Sequence, residues 1–129
     1  MRYMTPLKAA KGLGASRTGT QDHWFLTVTA IALLVLTPLF MLVVACGIGL
    51  PREGVIAYFG RPFPAIITAL FVIVGMLHFI RGTRIMIDDY LRGGARKAAI
   101  IVSVIFSYTV IAVAVYALAR MGLATLVLV

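Results

Sequence analysis

One histidine lies deep inside a hydrophobic run of the sequence, and an acid and a phenol lie where that run ends. His78 is followed by Asp89 and Tyr90, eleven and twelve residues later, where charged residues resume. An imidazole in hydrocarbon loses its hydration, which is unfavourable unless a partner compensates it. Ionisable residues at such a depth usually serve a function, so His78 is the first candidate for chemistry in this chain.

Three roles suit a lone histidine in a membrane: a hydrogen-bonded packing residue, a proton relay, or an axial ligand of haem iron. A haem ligand is normally opposed by a second one, and His23 is the only other histidine of the sequence. His23 begins the first apolar run, whereas His78 lies about nine residues, roughly 13 Å, from the corresponding end of its own run. Two ligands of one iron must approach within about 4 Å. A second haem ligand is therefore expected from another chain.

Asp89 and Tyr90 are related to His78 by helical geometry. Eleven residues turn a helix by about 1100°, so Asp89 projects nearly beneath His78 if the helix continues, at a distance of roughly 16 to 18 Å. A tyrosine at a membrane interface is commonly part of an aromatic belt. Beside a carboxylate, its hydroxyl can instead donate a hydrogen bond to a carbonyl oxygen that takes up protons, as quinone reduction requires. Both interpretations remain open at this stage.

Glycines and arginines surround the histidine on the same run. Gly75 and Gly82 are seven residues apart and share one helix face with His78 between them. Their small size lets a flat ring approach the backbone beside the imidazole, or lets another helix pack closely. Arg81 and Arg84 can pair with the nearby acids, extend to lipid headgroups, or meet the propionates of a haem.

The composition determines which elements carry these residues. Hydrophobic residues make up 62% of the 129 residues and charged ones only 12%, which is typical of an integral membrane protein. Stretches at about 24–48, 65–87 and 98–118 are long enough to cross about 30 Å of hydrocarbon as helices. Three strands cannot close a barrel in lipid. The prediction is an all-α membrane protein with three transmembrane helices, forming a single domain over 1–129 with an entry segment at 1–23.

The basic residues are distributed unevenly around these spans. Nine precede the first span or lie at the end of the second and in the second loop, and three lie on the other side. Since positive charge is retained in the cytoplasm, the N-terminus and second loop are predicted to be cytoplasmic and the C-terminus periplasmic. The net charge of +8 is thus explained by topology, and no nucleic-acid partner is expected.

The residues 78–90 resemble a family signature. His78, Gly82, Asp89 and Tyr90 fit H-x(3)-G-x(6)-D-Y, which is found in the D-type membrane anchor of succinate dehydrogenase, respiratory complex II. The segment from Arg17 to Asp22 is similar to the R-x-G-x-x-D pattern of the same anchors, and Val28-Thr29-Ala30 is similar to their T-A pattern. With three spans and a cytoplasmic N-terminus, the resemblance covers nearly the whole chain.

The resemblance implies specific roles. His78 would be an axial ligand of haem b, opposed by a histidine of the C-type cytochrome b anchor, and Gly82 and Arg81 would also contact the haem. Tyr90 would hydrogen-bond ubiquinone with the support of Asp89. The iron-sulfur and flavoprotein subunits would dock on the cytoplasmic face, and the surrounding lipid would be the bacterial inner membrane rather than the mitochondrial one.

One position departs from the family pattern. Relatives often carry an arginine directly before the V-T-A stretch, and this chain has Thr27 there. If that arginine holds a haem propionate in relatives, Arg81 or a partner residue must replace it here.

Two functional hypotheses follow. The first is an anchor of succinate:ubiquinone oxidoreductase that passes electrons to quinone, or of the related quinol:fumarate reductase. The second is a redox-inactive membrane scaffold or small regulatory subunit. Under either, the chain cannot oxidise succinate itself, because it lacks a glycine-rich nucleotide motif and has one cysteine, Cys46, where an iron-sulfur cluster needs several.

Overall fold

The computed structural model describes residues 5–7 and 19–127. In the segment 19–127 it contains four helices: α1 (Gly19–Gly47), α2 (Arg52–Phe59), α3 (Pro62–Tyr90) and α4 (Gly93–Val127). By length and composition, α1, α3 and α4 are suited to cross a membrane. This confirms the predicted all-α class with three transmembrane helices. The short helix α2, in the loop between the first two spans, was not predicted.

Each spanning helix is longer than the apolar stretch that predicted it. α1 begins at Gly19, so residues 19–23 of the predicted entry segment are helical, whereas residues 1–4 and 8–18, with Arg17, lie outside the described residues. α3 extends beyond 65–87 in both directions, and α4 continues well past 118. The reason is that an apolar stretch marks only the part of a helix that lies in hydrocarbon, which is about 30 Å thick, whereas the helix itself continues through the lipid headgroups. The 35 residues of α4 measure about 52 Å.

The residues at both ends of α3 differ from what the sequence indicates. Pro62-Phe63-Pro64 precedes the apolar stretch at 65–87, and a proline disfavours helical geometry in the residue before it, yet these three residues form the first turn of α3. A proline is tolerated there because the first N–H groups of a helix have no intrahelical partner. At the other end, Arg92-Gly93-Gly94-Ala95 predicts a turn from its two glycines, but the non-helical residues between α3 and α4 are Leu91 and Arg92. Gly93 begins α4 with φ +61°, a conformation that favours glycine.

α1 and α3 pack as an antiparallel pair. Along the interface, residue numbers rise on α1 as they fall on α3. The contacting pairs are Asp22 with Arg81, Thr29 with His78, Leu33 near Gly75, and Phe40 with Phe71. The rings of Phe40 and Phe71 are stacked, with centroids 4.1 Å apart. These contacts lie on both sides of His78 along the membrane normal, so they fix the height of α1 relative to the histidine.

α3 is the central helix. It packs against α1 on one side and α4 on the other, and within the described residues α1 and α4 do not touch each other. On the α4 side, the rings of Phe79 and Phe106 meet edge to face, and Ser107 is fully buried. Few large side chains of 19–127 are buried; the buried hydrophobic ones are Val43 of α1 and Ile87 of α3, which lie towards opposite ends of the bundle. The remaining apolar surface is available to lipid and to other subunits.

Candidate functional site

His78 lies at the interface of α1 and α3 and has a defined hydrogen-bond partner. Its Nδ1 is 2.8 Å from Oγ1 of Thr29, which is nearly buried with 9% of its surface exposed. The same hydroxyl donates to the carbonyl oxygens of Phe25 at 2.8 Å and Leu26 at 3.1 Å, in the preceding turn of α1.

This geometry favours one tautomer of a neutral His78. A hydroxyl has one hydrogen, and two carbonyl oxygens of its own helix lie within hydrogen-bond distance of Thr29 Oγ1. If the hydrogen is donated to these carbonyls, Thr29 accepts from His78, and Nδ1 is the protonated nitrogen that donates. Nε2 then keeps its lone pair, which is the state in which an imidazole binds a metal. Metal-binding histidines in general donate their other ring N–H to such an acceptor.

The two glycines beside His78 have different surroundings. A Cβ placed on Gly75 would lie 3.9 Å from Leu33, an ordinary packing contact with α1. A Cβ placed on Gly82 would meet nothing within 4 Å. Gly82 lies one turn from His78, so the α3 backbone there borders open space on the face that carries the histidine. A flat group could approach this surface closely, while Gly75 serves the packing of α1 on α3.

Arg81 is held by α1. Its guanidinium forms an ion pair with Asp22 and lies over the ring of Phe25, 5.0 Å from the ring centroid. These three residues line a cavity of about 420 Å³ together with Gln21 and Arg84. Two guanidinium groups and one carboxylate leave this cavity with a net positive charge, which suits an anionic group.

Thr27 contributes no cation to this region. Its Oγ1 donates to the backbone carbonyl of His23 at 2.9 Å. The cations that line the neighbouring cavity are Arg81 and Arg84 of α3.

His23 is remote from the ring of His78. It precedes Thr29, the partner of His78, by six residues, which corresponds to about 9 Å along α1. Its side chain is exposed at the beginning of the helix. Among the residues that the structure describes, no group of three or more His, Cys, Asp or Glu side chains could enclose a metal ion. A single axial ligand from α3 is the contribution that these residues can make to a haem.

Asp89 and Tyr90 end α3 and project into the surroundings. The helix is continuous from His78 to Tyr90, so the two sites lie about 16 to 18 Å apart along one axis. The surface of Tyr90 is 83% exposed. Within 19–127, neither the Asp89 carboxylate nor the Tyr90 hydroxyl has a hydrogen-bond or ion-pair partner. The neighbouring Asp88 accepts a hydrogen bond of 2.6 Å from Nε of Arg96 and so ties α3 to α4.

Three side-chain pairs were not predicted from the sequence: Thr29 with His78, Asp22 with Arg81, and Asp88 with Arg96. Asp22, Phe25 and Thr29 follow one another at helical spacing, so their common face was visible in the sequence. Their alignment with α3 was not, because it depends on the register between two helices. Sequence did predict the position of Asp89 beneath His78, because that depends only on the helix continuing.

Comparison with known proteins assigns the chain to a family. Residues 1–118 match the family described as the succinate dehydrogenase/fumarate reductase transmembrane subunit. A protein of Paracoccus denitrificans named succinate dehydrogenase hydrophobic membrane anchor subunit is 72% identical over 127 residues, which cover 98% of each chain. No solved structure matches this chain. The three apolar helices and the bacterial relative place the protein in the inner membrane as a multi-pass protein. The chain belongs to the succinate dehydrogenase/fumarate reductase transmembrane subunit family.

Proposed function

We propose that this chain is the hydrophobic membrane anchor of a succinate:ubiquinone oxidoreductase, where it contributes one axial ligand of haem b and part of the ubiquinone site. Family membership and the similarity to a succinate dehydrogenase anchor support the anchoring role. The observation that carries the redox role is the contact of Thr29 with Nδ1 of His78, which leaves Nε2 free as a ligand. Electrons would pass from the iron-sulfur subunit to quinone at the membrane surface.

The haem would be held by residues of one α3 face. Nε2 of His78 would bind the iron, and the open surface at Gly82 would accept the edge of the macrocycle. Arg81 would hold a propionate only while sharing its charge with Asp22, so Arg84 is a second candidate in the same cavity. The bound haem would supply a one-electron carrier. Its second axial ligand would come from the C-type anchor, since His23 lies too far along α1.

The quinone site would be at the end of α3. The Tyr90 hydroxyl would donate a hydrogen bond to a quinone carbonyl, and the Asp89 carboxylate would orient the phenol or transfer protons. Because Tyr90 is so exposed, the other walls of the pocket must come from the C-type anchor and the iron-sulfur subunit. Asp89 is preferred to Asp88 for this role, because the Asp88 carboxylate is paired with Arg96.

Purification from native membranes in mild detergent tests this function. We expect the chain to purify with three other subunits, together with flavin, iron-sulfur and b-type haem absorbance. Succinate should reduce the haem and added ubiquinone. Isolation of a stable complex without haem and without quinone reductase activity would support the alternative of a redox-inactive scaffold.

The orientation of the chain can be tested with reporter fusions. Since nine of the twelve basic residues lie on one side, a reporter inserted near Gly94 should be cytoplasmic and one fused after Val129 periplasmic. Alkaline phosphatase, active only outside the cytoplasm, and a cytoplasm-dependent fluorescent protein provide matched readouts. A cytoplasmic C-terminus would contradict the orientation and would remove Tyr90 from the side on which the soluble subunits dock.

Alanine at Gly82 tests whether the open α3 surface receives the haem. Within this chain the new methyl group meets nothing, and alanine favours a helix over glycine by about 1 kcal/mol, so the subunit itself should tolerate it. We expect Gly82→Ala to lower the haem-to-flavin ratio or to change the haem spectrum in the purified complex. Gly75→Ala is the control, because its methyl group would only touch Leu33 and should leave the haem unchanged. Full haem content with an unaltered spectrum in Gly82→Ala would contradict the placement.

A further inference from the structure

We infer that Thr29 is a positioning residue for the haem ligand: by accepting the Nδ1–H of His78 it fixes the tautomer and ring orientation of the ligand and adjusts the haem reduction potential. The inference rests on the proposed ligation of haem by His78 and assigns a role to a residue of another helix, which has no direct contact with iron.

The first step is the direction of the hydrogen bond, in which we assign the Thr29 hydroxyl as the acceptor towards His78. Its single hydrogen is engaged by the carbonyls of Phe25 and Leu26, and the 2.8 Å distance to Nδ1 is that of a normal hydrogen bond. If Thr29 donated to Nδ1 instead, its hydroxyl hydrogen would leave the carbonyls of α1. The ring proton of His78 would then lie on Nε2, where it would block coordination. By competing for the Thr29 hydrogen, the carbonyls of α1 favour the metal-binding tautomer of His78.

The second step is that Thr29 is held in place. Threonine is branched at Cβ and its side chain is restricted in rotation, and here the hydroxyl bonds its own helix as well. α1 is fixed against α3 on both sides of Thr29, by the Arg81–Asp22 ion pair on one side and by the stacked rings of Phe40 and Phe71 on the other. With 9% of Thr29 exposed, water has little access to replace the hydroxyl. The hydrogen bond therefore restrains the plane of the imidazole.

The third step concerns electron donation. A hydrogen bond from Nδ1–H shifts electron density towards Nε2 and makes the imidazole a stronger ligand. A stronger donor stabilises ferric more than ferrous iron, which lowers the reduction potential. A neutral hydroxyl accepts more weakly than a carboxylate, so Thr29 gives a moderate effect. The haem is expected to have a lower potential with Thr29 than with an apolar residue of the same shape.

The test uses the purified four-subunit complex and three variants. Thr29→Val keeps the volume and branching but removes the acceptor, while Thr29→Ser keeps the hydroxyl. Thr37→Val is the control, because Thr37 also bonds its own helix, to the carbonyl of Leu33, but is exposed and does not contact His78. The measurements are a potentiometric titration of the haem and the electron paramagnetic resonance g-values of its ferric form.

We expect Thr29→Val to raise the haem potential and to change the g-values, with Thr29→Ser and Thr37→Val close to the unmodified complex. A tenfold change in the ratio of ferric to ferrous affinity corresponds to about 59 mV for one electron. If Thr29→Val does not assemble, Thr29→Cys keeps a similar volume with a weak acceptor and should shift the potential in the same direction.

An unchanged potential and unchanged g-values in an assembled Thr29→Val or Thr29→Cys complex would overturn the inference. So would a shift of equal size in Thr29→Ser, since that variant retains the acceptor. Failure of the underlying function has a different signature, because the haem would then survive unchanged in His78→Ala. If His78→Ala loses the ligand and the Thr29 variants change nothing, only the role of Thr29 is refuted.

Discussion

Replacing His78 with alanine is expected to abolish the low-spin haem of the complex. The substitution removes the ligand that this chain is proposed to offer and would leave space the size of an imidazole beside the iron. The haem should be lost or become five-coordinate and high-spin. Assembly should survive, because the Thr29 hydroxyl keeps its bonds to the α1 backbone, and the lost hydrogen bond contributes only about 1 kcal/mol. In the purified complex, absorption spectroscopy measures the loss of haem, and low-temperature electron paramagnetic resonance measures the change to high spin.

His23→Ala is the matched control for this experiment. It removes the other histidine from an exposed position about 9 Å along α1 from Thr29, and it should leave the haem spectrum unchanged. A low-spin spectrum that persists in His78→Ala contradicts the ligand assignment. Loss of the spectrum in His23→Ala would instead show that the iron lies nearer the beginning of α1 than ligation by His78 would place it.

Much of the fold was predictable because the membrane restricts the choices. Apolar length sets the number of spans, and the 3.6-residue period then relates His78, Gly82 and Asp89 on α3. The helix ends were not predictable from the apolar stretches, since these stretches end at the lipid headgroups while the helices continue. For the same reason α2 was missed: it lies outside the spans, and its eight residues give no membrane signal.

The partners of the candidate residues could not be predicted from the sequence. Thr29 and His78 are 49 residues apart, and Asp22 and Arg81 are 59 apart, so no local pattern links them. Arg81 was expected to pair with a nearby acid, to extend to lipid headgroups or to meet a haem propionate, and its pairing with Asp22 depends on the alignment of α1 with α3. That alignment depends on side-chain packing along the whole interface, including the stacking of Phe40 on Phe71. Its consequence is that the chemistry of α3 is partly determined by α1.

The hydroxyl of Tyr90 is expected to contribute to the rate of quinone reduction and little to folding. A hydrogen bond to a quinone carbonyl strengthens as negative charge develops on that oxygen, so its loss should slow turnover. Tyr90→Phe keeps the ring and its contacts with the membrane interface. We expect succinate-driven ubiquinone reduction to fall about ten- to a thousandfold, which corresponds to roughly 1.4 to 4 kcal/mol of transition-state stabilisation.

The location of the defect is tested with a second electron acceptor. Succinate oxidation by a soluble dye that takes electrons from the extrinsic subunits should be nearly unaffected in Tyr90→Phe, because this path bypasses the membrane. Tyr116→Phe is the control for the loss of an exposed tyrosine hydroxyl elsewhere in the chain, since Tyr116 lies on α4 with Arg120 over its ring, and both activities should be retained.

The neighbouring acids give a further comparison within the same prediction. Asp89→Asn should also lower ubiquinone reduction without lowering dye reduction, but by less than Tyr90→Phe does. The reason is that the carboxylate is proposed only to orient the phenol or to transfer protons. Asp88→Asn removes an exposed ion pair with Arg96, which contributes little to stability. It should not lower ubiquinone reduction relative to dye reduction. If Tyr90→Phe retains full ubiquinone reductase activity, Tyr90 belongs to the aromatic belt, and the hydrogen bond to quinone must come from a partner subunit.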